Sequence, residues 1–172
     1  RYSEQERLQA LSMQDSNGWT VLHCAAKSGS TESIQLILAH YPEAERLHIV
    51  RMQDQYGSTA LHHAANYSKE IECIRTILTI YPESERLHAV SMKDANGWTV
   101  LHCAVKSGGY ESIKCILSFC HESERLMALS IQDRDGWTVL HYAARFGQVD
   151  CIQLIIALYP ETERLRAVNQ KC

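Results

Sequence analysis

No stretch of the 172 residues approaches the roughly 18 consecutive apolar positions that a membrane-spanning helix needs. The opening RYSEQERLQA has none of the basic-then-apolar order of a secretory leader. An excess of one charge is missing too. Twenty acidic against 17 basic side chains leave a net charge of −3, whereas a nucleic-acid-binding chain is normally clearly basic. There is no nucleophile at a useful spacing from a base and no glycine loop arranged to cradle a phosphate, so no enzyme is expected. The seven cysteines, at 24, 73, 103, 115, 120, 151 and 172, are odd in number and lack the spacing of a disulfide framework. Beside plentiful Leu, Ile and Ala they are expected as small apolar packers in a reducing compartment. A chain free of cofactors and metals, residing in the cytoplasm, is the expectation these absences leave. The first residue is Arg1 rather than Met, so a piece of a longer protein is expected.

What is present is a repeat. Asp-x-x-Gly recurs with Asp at 15, 54, 94 and 133, at spacings of 39, 40 and 39. Thr20, Thr59, Thr99 and Thr138 follow in register, and then the pairs Leu22-His23, Leu61-His62, Leu101-His102 and Leu140-His141. A second marker, Glu-Arg-Leu, begins at Glu6, Glu45, Glu85, Glu124 and Glu163. Four units result, 15–53, 54–93, 94–132 and 133–172, with residues 1–14 as the tail of a preceding one. A fixed period of this length is the mark of stacked units that bury their apolar faces only against each other, forming one continuous domain.

Within a unit the pattern reads as helices. Asp bonds local backbone and Gly accepts a positive φ, which makes a turn. Thr20 suits an N-cap for VLHCAAK, and Gly29 suits the C′ position that ends it. Ile34, Ile37, Leu38 and Tyr41 then recur at helical spacing. Pro42 suits the first residue of a third helix, with Glu43 and Glu45 near its positive end and Leu47, Val50 and Met52 facing inward. Cys120-His121 replaces Tyr-Pro in the third unit, which weakens the signal for a helix there. The recurring Glu-x-Glu-Arg-Leu reads as a solvated helix start, with Glu–Arg pairing at i,i+3 and ion pairs between units.

D-x-x-G-x-T-x-L-H-x-A followed by an Ile/Leu-rich helix resembles the ankyrin repeat, and the resemblance covers essentially the whole chain. The usual period of that family is about 33 residues, and the surplus here lies in phrases such as YPEAERLHIVRMQ. The expected fold is therefore an all-α ankyrin-like solenoid of four long units, with a third short helix after each helix pair. The YPESERL phrase is similar to ankyrin arrays in effectors of intracellular bacteria.

The resemblance implies that His23, His62, His102 and His141 are structural and bond the backbone of neighbouring turns; their whole-repeat spacing keeps one metal ion from collecting them. Cys115, Cys120 and His121 read as helix substitutions rather than zinc ligands. The resemblance also implies a concave binding face. It would hold Asn17, Trp19 and Lys27 in the first unit, and Tyr56, Ser58 and Tyr67 in the second. The third contributes Asn96, Trp98 and Lys106, and the fourth Arg134, Trp137, Arg145 and Phe146. Trp, Tyr and Arg dominate binding energy at protein interfaces. The three tryptophans can equally be filler that seals each turn against its neighbour. The second unit departs from the others: Ser58 stands in the Trp column, and Tyr56, His63 and Tyr67 are expected beside it around a notch.

The function expected is a monomeric scaffold that binds a protein or peptide, preferably acidic or phosphorylated, and neither nucleic acid nor membrane. The alternative is a non-catalytic targeting module of a larger enzyme or of a secreted bacterial effector acting in a host cytosol. A passive spacer is a third reading.

Overall fold

A computed structural model describes residues 3–67 and 70–160. Among them lie α1 (Glu4–Ser12), α2 (Val21–Ser28), α3 (Thr31–Ala39), α4 (Glu43–Arg51), α5 (Ala60–Tyr67), α6 (Ile71–Leu78), α7 (Glu83–Ser91), α8 (Val100–Lys106), α9 (Tyr110–Ser118), α10 (Glu122–Leu129), α11 (Val139–Arg145) and α12 (Val149–Leu158). One isolated antiparallel bridge, Gln53 to Thr59, accompanies them. Each Asp-x-x-Gly turn leads into a short first helix, and a second helix follows it. In the first three units a third helix comes next. The corresponding segment of the fourth unit lies outside the described residues.

The first helices stack in chain order, α2 on α5 on α8 on α11, and the second helices stack behind them, α3 on α6 on α9 on α12. The inner first helices, α5 and α8, are thus covered on both flanks. In α5 six consecutive residues, Ala60 to Ala65, are buried, and the small Ala side chains let neighbouring helices come close. The second helices are one-sided, with Ile74, Ile77 and Leu78 buried in α6 and Ile113, Ile116 and Leu117 in α9. Leu22, Leu61 and Leu101 are each wholly buried between layers; truncating such a residue to Ala costs about 2–5 kcal/mol.

Residues of the third helices tie the layers together at their outer end. Pro42 and Pro82 sit at the N-cap, one position before the expected one, and α4 and α7 begin at the following Glu. Ile49, which the spacing did not single out, is buried beside Val50, whereas Leu47 and Met52 are only partly covered. In the third unit a helix forms without the Pro, because the His121 N–H donates to Glu124 Oε2 at 3.1 Å. In the first and third units the arginine of the Glu-Arg-Leu phrase has a different role from the expected i,i+3 pair. Arg46 Nε donates to the carbonyls of Leu38 (3.0 Å) and Tyr41 (3.2 Å), and Arg125 Nε to that of Leu117 (3.0 Å). These carbonyls lie at the ends of second helices, where a cation also meets the negative end of the helix dipole. Between units, Arg51 pairs with Glu85. The buried Tyr81 hydroxyl donates to Val50 O at 3.0 Å, joining one unit to the third helix of its predecessor.

The turns join on the opposite side. Asp94 Oδ1 accepts the N–H groups of Asn96 (2.8 Å) and Trp98 (2.9 Å), and Gly97 turns the chain at φ +81°. Each turn also bonds the next: Gln55 N–H donates to Asn17 O, Ala95 N–H to Tyr56 O and Arg134 N–H to Asn96 O, at 2.7–3.2 Å. A Cβ on Gly97 would lie 2.7 Å from Arg134 N, whereas one on Gly147, at φ +65°, would meet nothing within 4 Å. Gly147→Ala is therefore expected to cost about 1–2 kcal/mol for the left-handed backbone alone. Gly97→Ala is expected to cost roughly twice that or more, because it also pushes two units apart. Urea denaturation of both variants checks this; equal losses would show that the turn contact contributes nothing.

Candidate partner-binding face

The Thr-x-Leu-His phrase sets the height of each turn above its helix. Thr20 caps α2, its Oγ1 accepting the His23 N–H. Thr20 N–H donates to His23 Nδ1 at 3.1 Å, so Nδ1 carries the lone pair and Nε2 the proton. Nε2–H then donates across the interface to Ser58 O at 3.2 Å. His102 bonds Thr99 N–H and Trp137 O in the same way, whereas His62, which also takes Thr59 N–H, donates to Met92 O at the end of its own unit. His141 Nδ1 accepts from Thr138 N–H at 3.2 Å. Burial holds the imidazoles of His23, His62 and His102 below their ordinary pKa, keeping them in the neutral form that these bonds require.

Residues one, two and four after the Asp project from the turn beside the C-terminal ends of the first helices. Asn17, Tyr56, Asn96 and Arg134 are exposed, as are Lys27, Tyr67, Lys106, Arg145 and Phe146. Trp19, Trp98 and Trp137 are half-buried, and Ser58 is partly covered. The tryptophan and the cation of one unit meet. Lys27 Nζ lies 4.9 Å from the Trp19 ring centre and Lys106 Nζ 5.0 Å from that of Trp98, while the Arg145 guanidinium is 5.3 Å from Trp137. Such pairs contribute about 0.5–2 kcal/mol each. The second unit lacks both partners, with Ser58 in the Trp column and Asn66 in the cation column. Lys27 also reaches across to Tyr67, 5.1 Å from its ring.

Under the tryptophans lies a feature that sequence reasoning only half caught. The residue after the column histidine alternates Cys24, His63, Cys103, Tyr142. His63 Nε2 donates to Asp54 Oδ2 at 2.9 Å, and the Tyr142 hydroxyl donates to Asp133 Oδ2 at 2.6 Å. The ring so fixed supports the tryptophan of the preceding unit: Trp19 lies 4.4 Å from His63, and Trp98 lies 4.9 Å from Tyr142. Trp137 leans on Tyr142 of its own unit at 5.2 Å. Trp98 and Trp137 also pack on the hydrophobic core. His63 was expected at the notch; Tyr142 was not singled out, and the alternation down this column was the available signal.

Burial lowers the His63 pKa and outweighs the Asp54 carboxylate, which acts to raise it. Burial also acts to raise the Asp133 pKa, but hydrogen bonds from Tyr142 and from the Trp137 and Asp135 N–H groups outweigh it and lower the value. The Tyr142 phenol is pushed up to about 12 by burial and by Asp133. Around Ser58 the face opens into a cavity of about 330 Å³, lined by Trp19, Tyr56, His63, Trp98, Cys103 and Lys106 among others.

The six described cysteines are free thiols, and Cys73, Cys103, Cys115, Cys120 and Cys151 are buried. Burial pushes Cys103 to about 12 and Cys120 to about 11, so both stay protonated. Cys24 departs from the expected packing role: it is exposed, because its position on α2 has no preceding unit's tryptophan above it in the described chain. Cys172 lies outside the described residues. Cys115 and Cys120 are covered within the helix stack while His121 is exposed, 3.5 Å from Glu83. No group of three or more His, Cys, Asp or Glu among the described residues could hold a metal ion. No helix among them is long and apolar enough to cross a membrane.

Stacked helical units joined through their turns define a repeat solenoid. A family model for ankyrin repeats (3 copies) matches residues 6–86 and 83–164, nearly the whole chain, which therefore belongs to the ankyrin-repeat family. Ankyrin repeats are generally protein–protein interaction modules and are typically non-catalytic. Among curated proteins, none matches this chain.

The histidines give a pH dependence of known sign. Unfolded imidazoles titrate near 6.5, and His23, His62, His63 and His102 titrate lower when folded. Below that pH the unfolded state binds more protons, so stability rises with pH there. The contribution is complete above pH 6.5 and is lost as pH falls through the folded values. The melting temperature is expected to drop between about pH 7.5 and 5.5, before most carboxylates titrate. Scanning calorimetry across that range checks this, and a flat profile would contradict it.

Proposed function

We propose that this chain is an interaction scaffold that binds a protein or peptide segment along a concave face formed by the turns and the ends of the first helices. The observation that carries this reading is the row of cation-topped tryptophans, Trp19 with Lys27, Trp98 with Lys106 and Trp137 with Arg145. The rings are braced from below by the stack and present an upper side bearing a positive charge. Tyr56, Tyr67 and Phe146 add exposed aromatic area on the same face, at 57%, 53% and 43%. Rigid aromatic anchors with charge at the edge suit recognition of an acidic segment, the charge governing encounter and register more than raw affinity.

The tryptophans are poor first targets for a test, since they also brace the stack. The cations are exposed, so reversing them loses their contacts with the rings but disturbs no buried packing. A partner captured with the chain is expected to bind Lys27→Glu/Lys106→Glu/Arg145→Glu at least about tenfold more weakly, and the wild type more weakly as salt is raised. Lys114→Glu, on the outer side in α9, is the control and is expected to bind as the wild type does. Calorimetric titration of the three proteins decides it. If Lys114→Glu weakens binding and the triple variant does not, the outer side is the site.

A further inference from the structure

The four units are not equivalent where they join. At the first junction Trp19 of one unit lies on His63 of the next, and at the third Trp98 lies on Tyr142. At the second junction both halves of this clasp are absent, because Ser58 faces unit three and Cys103 stands in the column of His63 and Tyr142. The cavity of about 330 Å³ lies at this place, at the lower end of the range for ligand pockets.

The frame around the cavity is fully bonded. Asp54 Oδ1 accepts the N–H groups of Tyr56 and Ser58 at 2.9 Å each, and its Oδ2 accepts from His63. The turns on either side are joined by Ala95 N–H to Tyr56 O at 2.7 Å. The space is thus held open by an intact backbone ladder, and it is the space that an indole occupies in the other units. Its walls are aromatic, with Trp19 on one side and Trp98 on the other, and the buried thiol of Cys103 lines it. Its lining carries both signs: the Asp54 and Asp94 carboxylates accept the N–H groups of their own turns, and the cations stand at the indoles. Lys106 lines it, and Lys27 stands over Trp19 and Tyr67. Those ammonium groups already cover the two indole faces, so a cationic guest stacked on the indoles would meet like charge.

We propose that the junction between the second and third units is a slot for one aromatic side chain of a partner segment, with carboxylates of that segment beside it against Lys27 and Lys106. The proposal rests on the interaction reading above and specifies its anchor. The guest supplies the ring that Ser58 and Cys103 leave out, completing the clasp in trans.

The probe is a synthetic acidic peptide with one central tryptophan, together with versions carrying alanine or lysine at that position, titrated against the chain by NMR. The tryptophan peptide is expected to bind, with the alanine version roughly thirtyfold weaker or more, as befits a buried aromatic anchor. Ser58→Trp fills the slot from within and is expected to reduce binding of the tryptophan peptide by a similar factor. Cys103→Tyr, which copies the Tyr142 arrangement, is expected to do the same should Ser58→Trp fail to fold, and thermal melts of both are expected to match or exceed the wild type. The slot is overturned if the alanine peptide binds equally well, if the lysine peptide binds better, if neither filled variant loses affinity, or if no peptide binds. Those outcomes leave the wider reading to be judged separately, by the captured partner's affinity for the charge-reversed triple variant.

Discussion

The histidine bonded through both ring nitrogens is the constraint on which the rest of this protein depends. Nδ1 takes the Thr N–H at the start of its own helix, and Nε2–H reaches a carbonyl of the following unit from His23 and His102, or the carbonyl of Met92 just before that unit from His62. Each such bond contributes only about 1 kcal/mol net, but a buried N–H and a buried carbonyl left without it would cost about 1–3 kcal/mol each. The ring therefore couples two distances, turn to helix and unit to unit, in one rigid body. With both set, successive turns fall into hydrogen-bonding register, and the glycines at φ +75 to +81° can lie against the next backbone.

The turn face follows from that register. A tryptophan four residues after the Asp has its N–H held by the Asp carboxylate, as Trp19 does at 2.8 Å from Asp15 Oδ1. Its ring lands on whatever the next unit offers. His63 and Tyr142, each bonded to the Asp of its own unit, offer a fixed ring; Cys103 does not. The two readings of tryptophan, filler or anchor, are thus not exclusive. One side of the indole joins units, while the other faces outward under a cation.

The long period has its physical account on the opposite side. The third helix adds Ile49 and Val50 to the core, brings Arg46 onto the end of the second helix, and carries the acceptor for Tyr81 from the following unit. The family's shorter unit closes with a brief link; here about six further residues close it with another turn of buried helix. The acidic helix starts are largely solvated, with inter-unit pairs such as Arg51 to Glu85.

Much of this was legible in the chain alone. Turn, cap, helix and C-cap signals lie within a few residues of one another, so Asp15, Thr20 and Gly29 announce their roles locally, and recurrence at 39–40 residues announces stacking. The missed contacts lie between different helices. Arg46 reads as a helix ion-pair residue until the end of α3 is seen to lie beside it, and nothing singles out Tyr142 until Trp98 is found above it. The sequence by itself determined the period, the helices and the family, because those depend on contacts within one unit and on their repetition. Only the tertiary structure decided which ring meets which and where one is wanting. That depends on the offset between stacked units, a quantity that no single unit encodes.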